Sequence, residues 1–307
     1  MRFRFDILNK VDWNRLRENK HLKLYIGLAV ILIVLLIFSL EIYLSIRNFR
    51  KTILVKEVVM EKGTFEEIYE PEILPAATPE IKPKKFRKAK IAIILDDAGG
   101  TVPDYHDIYS IKEPLTISII PDLPTSSRVA KQAKDAGLEI MLHMPMEALN
   151  GDFTRQYGGM ITTDQTSEEI KKIVIDDFSS VKLAIGFNNH MGSKATSDER
   201  VMDTVFSSID RGKYFVDSKT SKDSVAIKLA KKHRIRSGEN NVFLDGVTNE
   251  SEIEYRFKML IAKARNNGTA IGIGHATRPA TIAVLKHLMP LYARKGIKFV
   301  HVSEIVK

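Results

Sequence analysis

Apolar and polar positions follow a regular pattern along residues 90–307. Short apolar runs are separated by longer amphipathic stretches, in which apolar residues recur every three to four positions as on one face of a helix. Eight apolar runs lie at 91–95, 115–120, 138–142, 183–187, 214–216, 242–244, 270–274 and 298–302. The pattern predicts short strands that alternate with helices.

The ends of the helical stretches carry their own signals. Thr166 and Glu169 have the spacing of a capping box ahead of an amphipathic segment. A glycine follows each of four helical stretches, where a left-handed residue is favoured: Gly137, Gly212, Gly268 and Gly296. Strands that alternate with helices imply a mostly parallel sheet covered on both faces. The length of 90–307 suits a compact (β/α) barrel, although periodicity alone does not separate a barrel from a doubly wound open sheet.

Polar residues capable of chemistry recur where the predicted strands end. They are Asp96, Asp97, Asp122, His143, Asn188, Asn189, His190, Asp217, Asp245 and His275. In a parallel α/β fold all strand carboxyl ends lie at the same end of the sheet, where barrel enzymes hold their active sites. We therefore expect these side chains to converge. The alternative for Asp217 and Asp245 is a helix N-cap, and any single histidine could be structural.

The N-terminal region has a different pattern. Residues 24–40 are uncharged, and apolar residues to position 44 extend the run enough to cross a bilayer. A cleaved signal peptide is disfavoured by the long polar lead and the lack of an Ala-x-Ala-like site. Seven Lys or Arg residues precede the run, against four in the twenty residues after position 40. This bias predicts a cytoplasmic N-terminus and an extracytoplasmic remainder.

The stretch between the apolar run and the alternating pattern is rich in proline. Pro71, Pro75, Pro79 and Pro83 recur at four-residue spacing, which favours an extended, semi-rigid chain. Its role is a stalk or a connector without further function. The predicted organisation is therefore a cytoplasmic basic segment (1–23), a transmembrane anchor (24–44), a Pro-rich linker (45–89) and a (β/α) domain (90–307).

Composition excludes several classes of site. The 307 residues include no cysteine, so a disulfide framework, a thiolate zinc site and a cysteine nucleophile are ruled out. The net charge is +9, but residues 1–89 hold seventeen basic and eleven acidic side chains, which leaves +3 for residues 90–307. Without a concentrated basic face in the predicted domain, we expect no nucleic-acid partner.

Carboxylates and imidazoles without cysteine form a ligand set suited to a divalent first-row metal, Zn²⁺ foremost. One carboxylate and two imidazoles would leave coordination positions open for water and substrate. A second carboxylate beside them could act as a general base, and a further histidine as a general acid. The sequence thus predicts a site for metal-assisted hydrolysis.

Six segments carry a resemblance to a known family. They read ILDDAG (94–99), LHMPME (142–147), NNHMGS (188–193), FVDSKTS (215–221), VFLD (242–245) and IGIGHA (271–276). In this order they resemble the divergent polysaccharide deacetylase family over about residues 88–307. The resemblance implies a distorted (β/α) barrel of seven to eight mostly parallel strands, here preceded by one transmembrane helix. It also implies removal of acetyl groups from N-acetylated sugars with a bound divalent metal.

The resemblance also suggests roles for individual residues. Asp96 resembles the general base and Asp97 the metal-binding aspartate of the first deacetylase motif. His143 resembles the first metal-binding histidine of the second motif, and His275 resembles the histidine that protonates the leaving amine. His190 belongs to the divergent family's own motif, and we nominate it as the second imidazole ligand.

One position departs from the typical pattern. Glu147 stands where typical deacetylases have a second metal-binding histidine. Glutamate can bind zinc, but Pro145 prevents an ordinary helical pair with His143. We predict that Glu147, Asn189, Asp217 and Asp245 contact substrate hydroxyls.

These observations predict a membrane-anchored, extracytoplasmic, metal-dependent hydrolase that deacetylates an envelope polysaccharide or peptidoglycan-like glycan. Two alternatives stay open. The altered second motif suits a non-catalytic glycan-binding or scaffold protein that retains the fold. The same ligands would also serve another metal-assisted hydrolysis, of an ester or a different amide.

Overall fold

The computed structural model describes residues 89–100, 105–149 and 159–307. The predicted cytoplasmic segment, anchor and linker (1–23, 24–44 and 45–89) lie outside these ranges except for Ala89. Within them the elements are β1 (Lys90–Ala98), α1 (His106–Tyr109), β2 (Thr116–Ile119), α2 (Ser126–Asp135), β3 (Glu139–Met146), α3 (Ser167–Ser180), β4 (Gly186–Met191), α4 (Glu199–Ser207), β5 (Tyr214–Asp217), α5 (Ala226–Lys232), β6 (Ser237–Glu239), β7 (Val242–Phe243), α6 (Glu250–Asn267), β8 (Thr269–His275), α7 (Pro279–Arg294) and β9 (Lys298–Phe299). None of the helices in this described part has the length and apolar run needed to span a membrane.

The strands form one parallel sheet in the order β6-β5-β4-β3-β2-β1-β8-β7, and β9 pairs with β1. The two ends of this order, β6 and β7, are separated in the chain by only Asn240 and Asn241. The Asn240 amide donates to the Asp217 carbonyl oxygen on β5, and the Asn241 amide donates to the Ile271 carbonyl oxygen on β8, both at 2.9 Å. The sheet is therefore curled, and both of its ends reach the same short stretch of chain. The predicted parallel α/β sheet is confirmed.

The prediction of seven to eight strands missed β6 and placed several strand ends too early. β6 reads Ser-Gly-Glu, so no apolar run marks it. β3 continues to Met146 and β4 to Met191, several residues past the predicted ends at 142 and 187. His143 and His190 thus lie inside strands rather than after them. The interior of the curled sheet is filled by polar side chains near the carboxyl ends of the strands.

Two apolar cores lie on the two faces of the sheet. On β1, Ile91, Ile93 and Leu95 pack towards the helices, whereas Ala92 and Ile94 face the inside of the curled sheet. The inner core is completed by Met141, Tyr214, Val216, Ile271, Ile273, Val300, Val302 and Val306. Burial on both faces explains why the strands read as continuous apolar runs instead of alternating ones.

The amino end of the sheet is closed by a buried carboxylate. Oε1 of Glu139 accepts hydrogen bonds from the Tyr214 hydroxyl at 2.7 Å, from the Ser303 amide at 3.1 Å and from the Thr116 hydroxyl at 3.2 Å. Burial, and then the Glu139 charge, raise the pKa of Tyr214, so the phenol keeps its proton. These hydrogen bonds hold Ser303 at the amino end of the curled sheet. The opposite end, where the strands have their carboxyl ends, is available for a functional site.

The predicted helix signals are confirmed. The Glu169 amide donates to the Thr166 hydroxyl at 3.3 Å, and the Thr166 amide donates to the Glu169 carboxylate at 2.7 Å, which together form the capping box of α3. The four glycines predicted to follow helices have φ between +85° and +104°. These ends fix where each helix returns the chain to the sheet.

Gly186, at the start of β4, is required by close packing against a buried ring. A Cβ at this position would lie 2.5 Å from Tyr214 ring atoms, and the Glu139 contact prevents that ring from moving aside. We expect Gly186→Ala to lower the free energy of unfolding by about 1–3 kcal/mol, as measured by urea denaturation. Gly246→Ala is the control, because a Cβ there meets nothing within 4 Å. Equal stability of the two variants would contradict this packing.

Candidate functional site

A layer of polar side chains fills the carboxyl end of the curled sheet. Successive neighbouring strands contribute Ser218 directly after β5, Asn188 on β4, His143 on β3, Ser118 on β2, Asp96 on β1 and His275 on β8. The strand register places His143 beside Asn188 and Asp96 beside His275. All but His275 are buried. Residues distant in sequence therefore meet because parallel strands end at one place.

Asp97 and His190 lie next to His143 of this layer, and the three side chains form a close triangle. Asp97 Oδ1 lies 3.2 Å from His143 Nε2 and 3.0 Å from His190 Nδ1. The two imidazole nitrogens are 3.1 Å apart. These three residues offer ligand atoms that all lie within 4.8 Å of one another, which makes the group a candidate metal site.

The donor set fits a divalent ion. Ligand bonds of about 2.1 Å separate neighbouring ligand atoms by roughly 3.0 Å in an octahedron and 3.4 Å in a tetrahedron, and the triangle's edges are 3.0–3.2 Å. Asp97 Oδ1 is buried without a hydrogen-bond partner of acceptable geometry among the described residues. Such an atom is costly unless a cation faces it. Two imidazoles and one carboxylate are typical ligands of zinc and non-haem iron.

The backbone and the surroundings of Asp97 suit this role. Asp97 has a left-handed φ of 61°, an unusual conformation for a side-chain-bearing residue that recurs at functional sites. Burial alone would raise the pKa of Asp97, but the imidazoles of His143 and His190 outweigh it and hold that pKa well below the usual range. Burial is the largest influence on His190 and lowers its pKa. A charged carboxylate beside a neutral imidazole is the protonation state that ligands need.

Asp96 lies next to the triangle. Its side chain is buried, with Oδ2 at 3.6 Å from His143 Nε2. Both of its oxygens accept hydrogen bonds from the side-chain NH₂ group of Asn188, at 2.9 and 3.1 Å. Burial raises the pKa of Asp96 despite the nearby His143 and the Asn188 hydrogen bond. The carboxylate is thus more basic than an exposed aspartate while it remains next to the candidate metal site.

His275 stands on the other side of Asp97 with a carboxylate behind it. Its Nδ1 lies 2.7 Å from Asp245 Oδ1, and its Nε2 lies 3.9 Å from Asp97 Oδ2. Asp245 is fully buried, and its Oδ2 accepts from the His275 amide at 2.8 Å and from the Thr281 hydroxyl at 2.7 Å. Burial lowers the pKa of His275, but the hydrogen bond and charge of Asp245 outweigh it and raise that pKa.

Asp245 therefore has a different place from the predicted one. Its carboxylate is enclosed by His275, Thr281 and the backbone, so substrate hydroxyls have no free oxygen to contact. It is not a helix N-cap either, because the N-cap of α6 is Asn249. The geometry makes Asp245 the residue that orients His275.

Glu147 is also engaged away from the triangle. One carboxylate oxygen pairs with Lys194 Nζ at 2.7 Å, and the other accepts from the amide and the hydroxyl of Thr163, each at 2.7 Å. The candidate metal site contains His190 and not Glu147. Both Glu147 oxygens connect rim segments, and the contact of this carboxylate with substrate stays a prediction.

Asn189 and Asp217 support loops instead of facing an open site. Asn189 accepts from the Ser218 amide at 2.9 Å and donates to the Met191 carbonyl oxygen at 2.7 Å. Asp217 accepts from the Lys219 amide at 2.8 Å and from the Ser224 hydroxyl at 2.7 Å. Both side chains are almost fully buried, and their contacts with substrate stay predictions. Nor is Asp217 an N-cap, because Val225 precedes α5.

Asn188 and Ser118 are site residues to which the sequence pattern assigns no role. Asn188 belongs to the polar stretch after the fourth predicted strand, and Ser118 lies inside the second apolar run. The two-residue period of β4 places Asn188 and His190 on the same face of the sheet. That alternation was the available signal for its position beside the site.

Comparison with known proteins places this chain in a family. Residues 93–306 match the divergent polysaccharide deacetylase family. The chain belongs to this family. The resemblance carried by the six sequence segments is confirmed.

Relatives share the same region. An uncharacterized protein of Haemophilus influenzae is 34% identical over 202 residues, which cover 66% of this chain and 71% of that protein. The uncharacterized protein YibQ of Escherichia coli is 32% identical over 201 residues, covering 65% of this chain and 62% of that protein. The crystal structure of the uncharacterized protein ATU2773 from Agrobacterium tumefaciens superposes with a TM-score of 0.68 at 23% identity, covering 73% of this chain and 91% of that chain. This last likeness concerns the fold.

Proposed function

We propose that this member of the divergent polysaccharide deacetylase family is a metal-dependent hydrolase that removes acetyl groups from an N-acetylated glycan. One observation carries the proposal: a triangle of one carboxylate and two imidazoles, flanked by a buried carboxylate and by a third histidine with its own carboxylate partner. This arrangement provides separate groups for metal binding, proton abstraction and proton donation.

Asp97, His143 and His190 would hold the ion, for which Zn²⁺ is our first candidate. A divalent ion bound there lowers the pKa of water and polarises a carbonyl oxygen. The rest of the site suits this chemistry, because the nearby groups are buried and hydrogen-bonded and are held in place before substrate arrives. No disulfide or thiolate is involved, since the chain has no cysteine.

Asp96 and His275 would divide the proton transfers between them. Asp96 would take a proton from the attacking water, and its raised pKa makes it a better base than an exposed carboxylate. His275 would hold a proton on Nε2, the nitrogen that faces Asp97. As the C–N bond breaks, that proton would pass to the amine nitrogen, and acetate would leave as the second product.

The substrate class is tested with the purified full chain. We expect acetate release from N-acetylated oligosaccharides, loss of that release on metal removal by a chelator, and recovery when Zn²⁺ is added back. Chromogenic acetyl esters serve as the comparison, because faster turnover of esters alone would favour the alternative of a different hydrolysis. An unchanged rate after complete metal removal would contradict the proposal.

The position of Glu147 bears on the alternative of a non-catalytic scaffold. The scaffold alternative rests on Glu147, which stands where typical deacetylases have a metal-binding histidine. In the structure Glu147 contacts Lys194 and Thr163, and His190 completes the triangle in its place. A scaffold role would be supported if cells carrying Asp96→Asn and His275→Ala behaved like the wild type while a deletion strain did not.

The charge on Asp245 should set the pH range of activity. The proposed acid, His275, must be protonated, so activity falls as pH rises through its pKa. Asp245→Asn removes the charge that raises this pKa, and we expect the alkaline limb of the kcat/KM profile to move to lower pH. Thr281→Val is the control, because it removes one hydrogen bond to Asp245 but keeps the charge. An alkaline limb that stays in place in Asp245→Asn would show that His275 is not the acid.

The location of the domain is a separate proposal. Residues 24–44 would anchor the chain in a membrane, the linker 45–89 would hold the domain off its surface, and an envelope glycan would then be within reach. The support is the uncharged apolar run and the excess of basic residues before it. Protease added to cells with a permeabilised outer envelope and an intact cytoplasmic membrane should degrade residues 90–307. Protection of this domain would contradict the orientation.

A further inference from the structure

Asn188 takes no part in the proposed proton transfers, yet its side chain contacts both Asp96 and His143. Its side-chain nitrogen lies 2.9 and 3.1 Å from the two Asp96 oxygens. Its side-chain oxygen lies 2.8 Å from His143 Nδ1 and 2.5 Å from the Ser118 hydroxyl. The residue is fully buried. One carboxamide therefore connects the proposed base to a proposed metal ligand.

The orientation of the Asn188 amide follows from its partners. A carboxylate only accepts hydrogen bonds, so the side that faces both Asp96 oxygens must be the NH₂ group. The carbonyl oxygen then faces His143. Since a carbonyl oxygen cannot donate, the hydrogen bond at this contact must come from His143, and Nδ1 must carry a proton.

This proton determines what the opposite nitrogen can do. When Nδ1 of a neutral imidazole carries the proton, Nε2 carries the lone pair and can bind a metal ion. His143 Nε2 is the atom that faces Asp97 Oδ1 and His190 Nδ1, at 3.2 and 3.1 Å. Partners of this kind, behind a ligand, commonly set its tautomer and ring orientation.

We propose that Asn188 is a positioning residue with two functions: its NH₂ group holds the Asp96 carboxylate in place, and its carbonyl oxygen fixes the proton of His143 on Nδ1. The inference rests on the proposed function, in which Asp96 is the base and His143 is a metal ligand. It adds a residue that acts through both of these and touches neither the metal nor the substrate.

The neighbouring Asn189 offers a matched control. It is equally buried and makes its hydrogen bonds with Ser218, Met191 and Thr220, none of which belongs to the triangle. If replacing a buried asparagine on β4 acted only through packing, Asn189→Ala would change the site as much as Asn188→Ala. A specific role predicts that only Asn188 variants do.

The tautomer of His143 tests the proposal without any activity measurement. In the metal-free full chain at alkaline pH, ¹⁵N NMR should show His143 with its proton on Nδ1, the signal being assigned by its loss in His143→Gln. In Asn188→Ala the proton should move to Nε2, towards Asp97, while Asn189→Ala should keep the wild-type tautomer. An unprotonated Nδ1 in the wild type, or a protonated Nδ1 in Asn188→Ala, would overturn the proposal.

A second variant separates the two functions. Asn188→Asp keeps an acceptor for His143 but removes the donor to Asp96, so the His143 proton should stay on Nδ1 and kcat should fall with little change in KM. Asn188→Ala loses both contacts, and its Zn²⁺ affinity should also fall, by about 10–100-fold. An Asn188→Asp variant with wild-type kcat would overturn the role toward Asp96.

Failure of the proposed function has a different signature. If the wild type binds Zn²⁺ and shows the Nδ1 proton but releases no acetate from any N-acetylated oligosaccharide, the deacetylase proposal fails and the role toward His143 stands. If the wild type is active and Asn188→Ala matches it in tautomer, Zn²⁺ affinity and kcat, the deacetylase proposal stands and the role of Asn188 fails.

Discussion

Replacement of Asp96 by Asn is expected to lower the rate of acetate release by about 10²–10⁴-fold, the usual contribution of a general base. The amide keeps the size of the side chain but cannot accept a proton. KM should change little, because Asp96 is buried next to the triangle and would act on the water and not on the glycan. Steady-state rates on an N-acetylated oligosaccharide measure the effect.

Two measurements make the Asp96 result interpretable. Metal content should stay at the wild-type level in Asp96→Asn, because the candidate metal site consists of Asp97, His143 and His190. Asp176→Asn is the matched control, since this carboxylate is exposed and pairs with Lys172 on the outer surface of α3. A rate for Asp96→Asn within about twofold of the control would remove Asp96 from the proposed mechanism.

Loss of the bound ion is the expected result of His190→Ala. One of three ligand atoms would be removed, and the remaining Asp97 and His143 would hold an ion far less tightly. We expect near-stoichiometric zinc in the wild type and a trace in the variant after dialysis, measured by elemental analysis of the full chain.

His233→Ala is the matched control for metal binding. This half-buried imidazole is hydrogen-bonded to Asp203 at 2.9 Å and packs against Phe206, and it does not belong to the candidate metal site. The variant should keep the ion. Equal zinc content in His190→Ala and the wild type would show that His190 is not a ligand.

The sequence predicted the parallel sheet and the convergence of its polar residues. Both follow from one rule, because strands that alternate with helices run parallel and end at the same side of the sheet. Asp96, Asp97, His143, His190 and His275 all lie within one such end in the structure. Their exact place in each strand was less predictable, since β3 and β4 extend through the polar residues that were expected to end them.

The sequence was less informative about polar residues whose partners come from other segments. Glu147, Asn189 and Asp217 come next to the site in the chain, but their carboxylates and amide face Lys194, Ser218 and Ser224. Those partners depend on how loops pack, which a single sequence does not show. Asp245 lies next to the site as expected, yet Thr281 and His275 enclose it.

The difference between Asn188 and Asn189 shows what periodicity can add. The two residues have the same chemistry and are adjacent, yet one contacts Asp96 and the other contacts Met191. Alternation along a strand separates them, because Asn188 shares its face with His190. With the bounds of β4 known, the sequence pattern assigns each asparagine to the correct side.

The position of a bound ion is the most direct test of this account. Crystals of the protein grown with Zn²⁺ should show one strong anomalous peak within about 2.3 Å of Asp97 Oδ1, His143 Nε2 and His190 Nδ1. A peak elsewhere, or no peak at the triangle under saturating Zn²⁺, would contradict a metal-dependent hydrolase built on these residues.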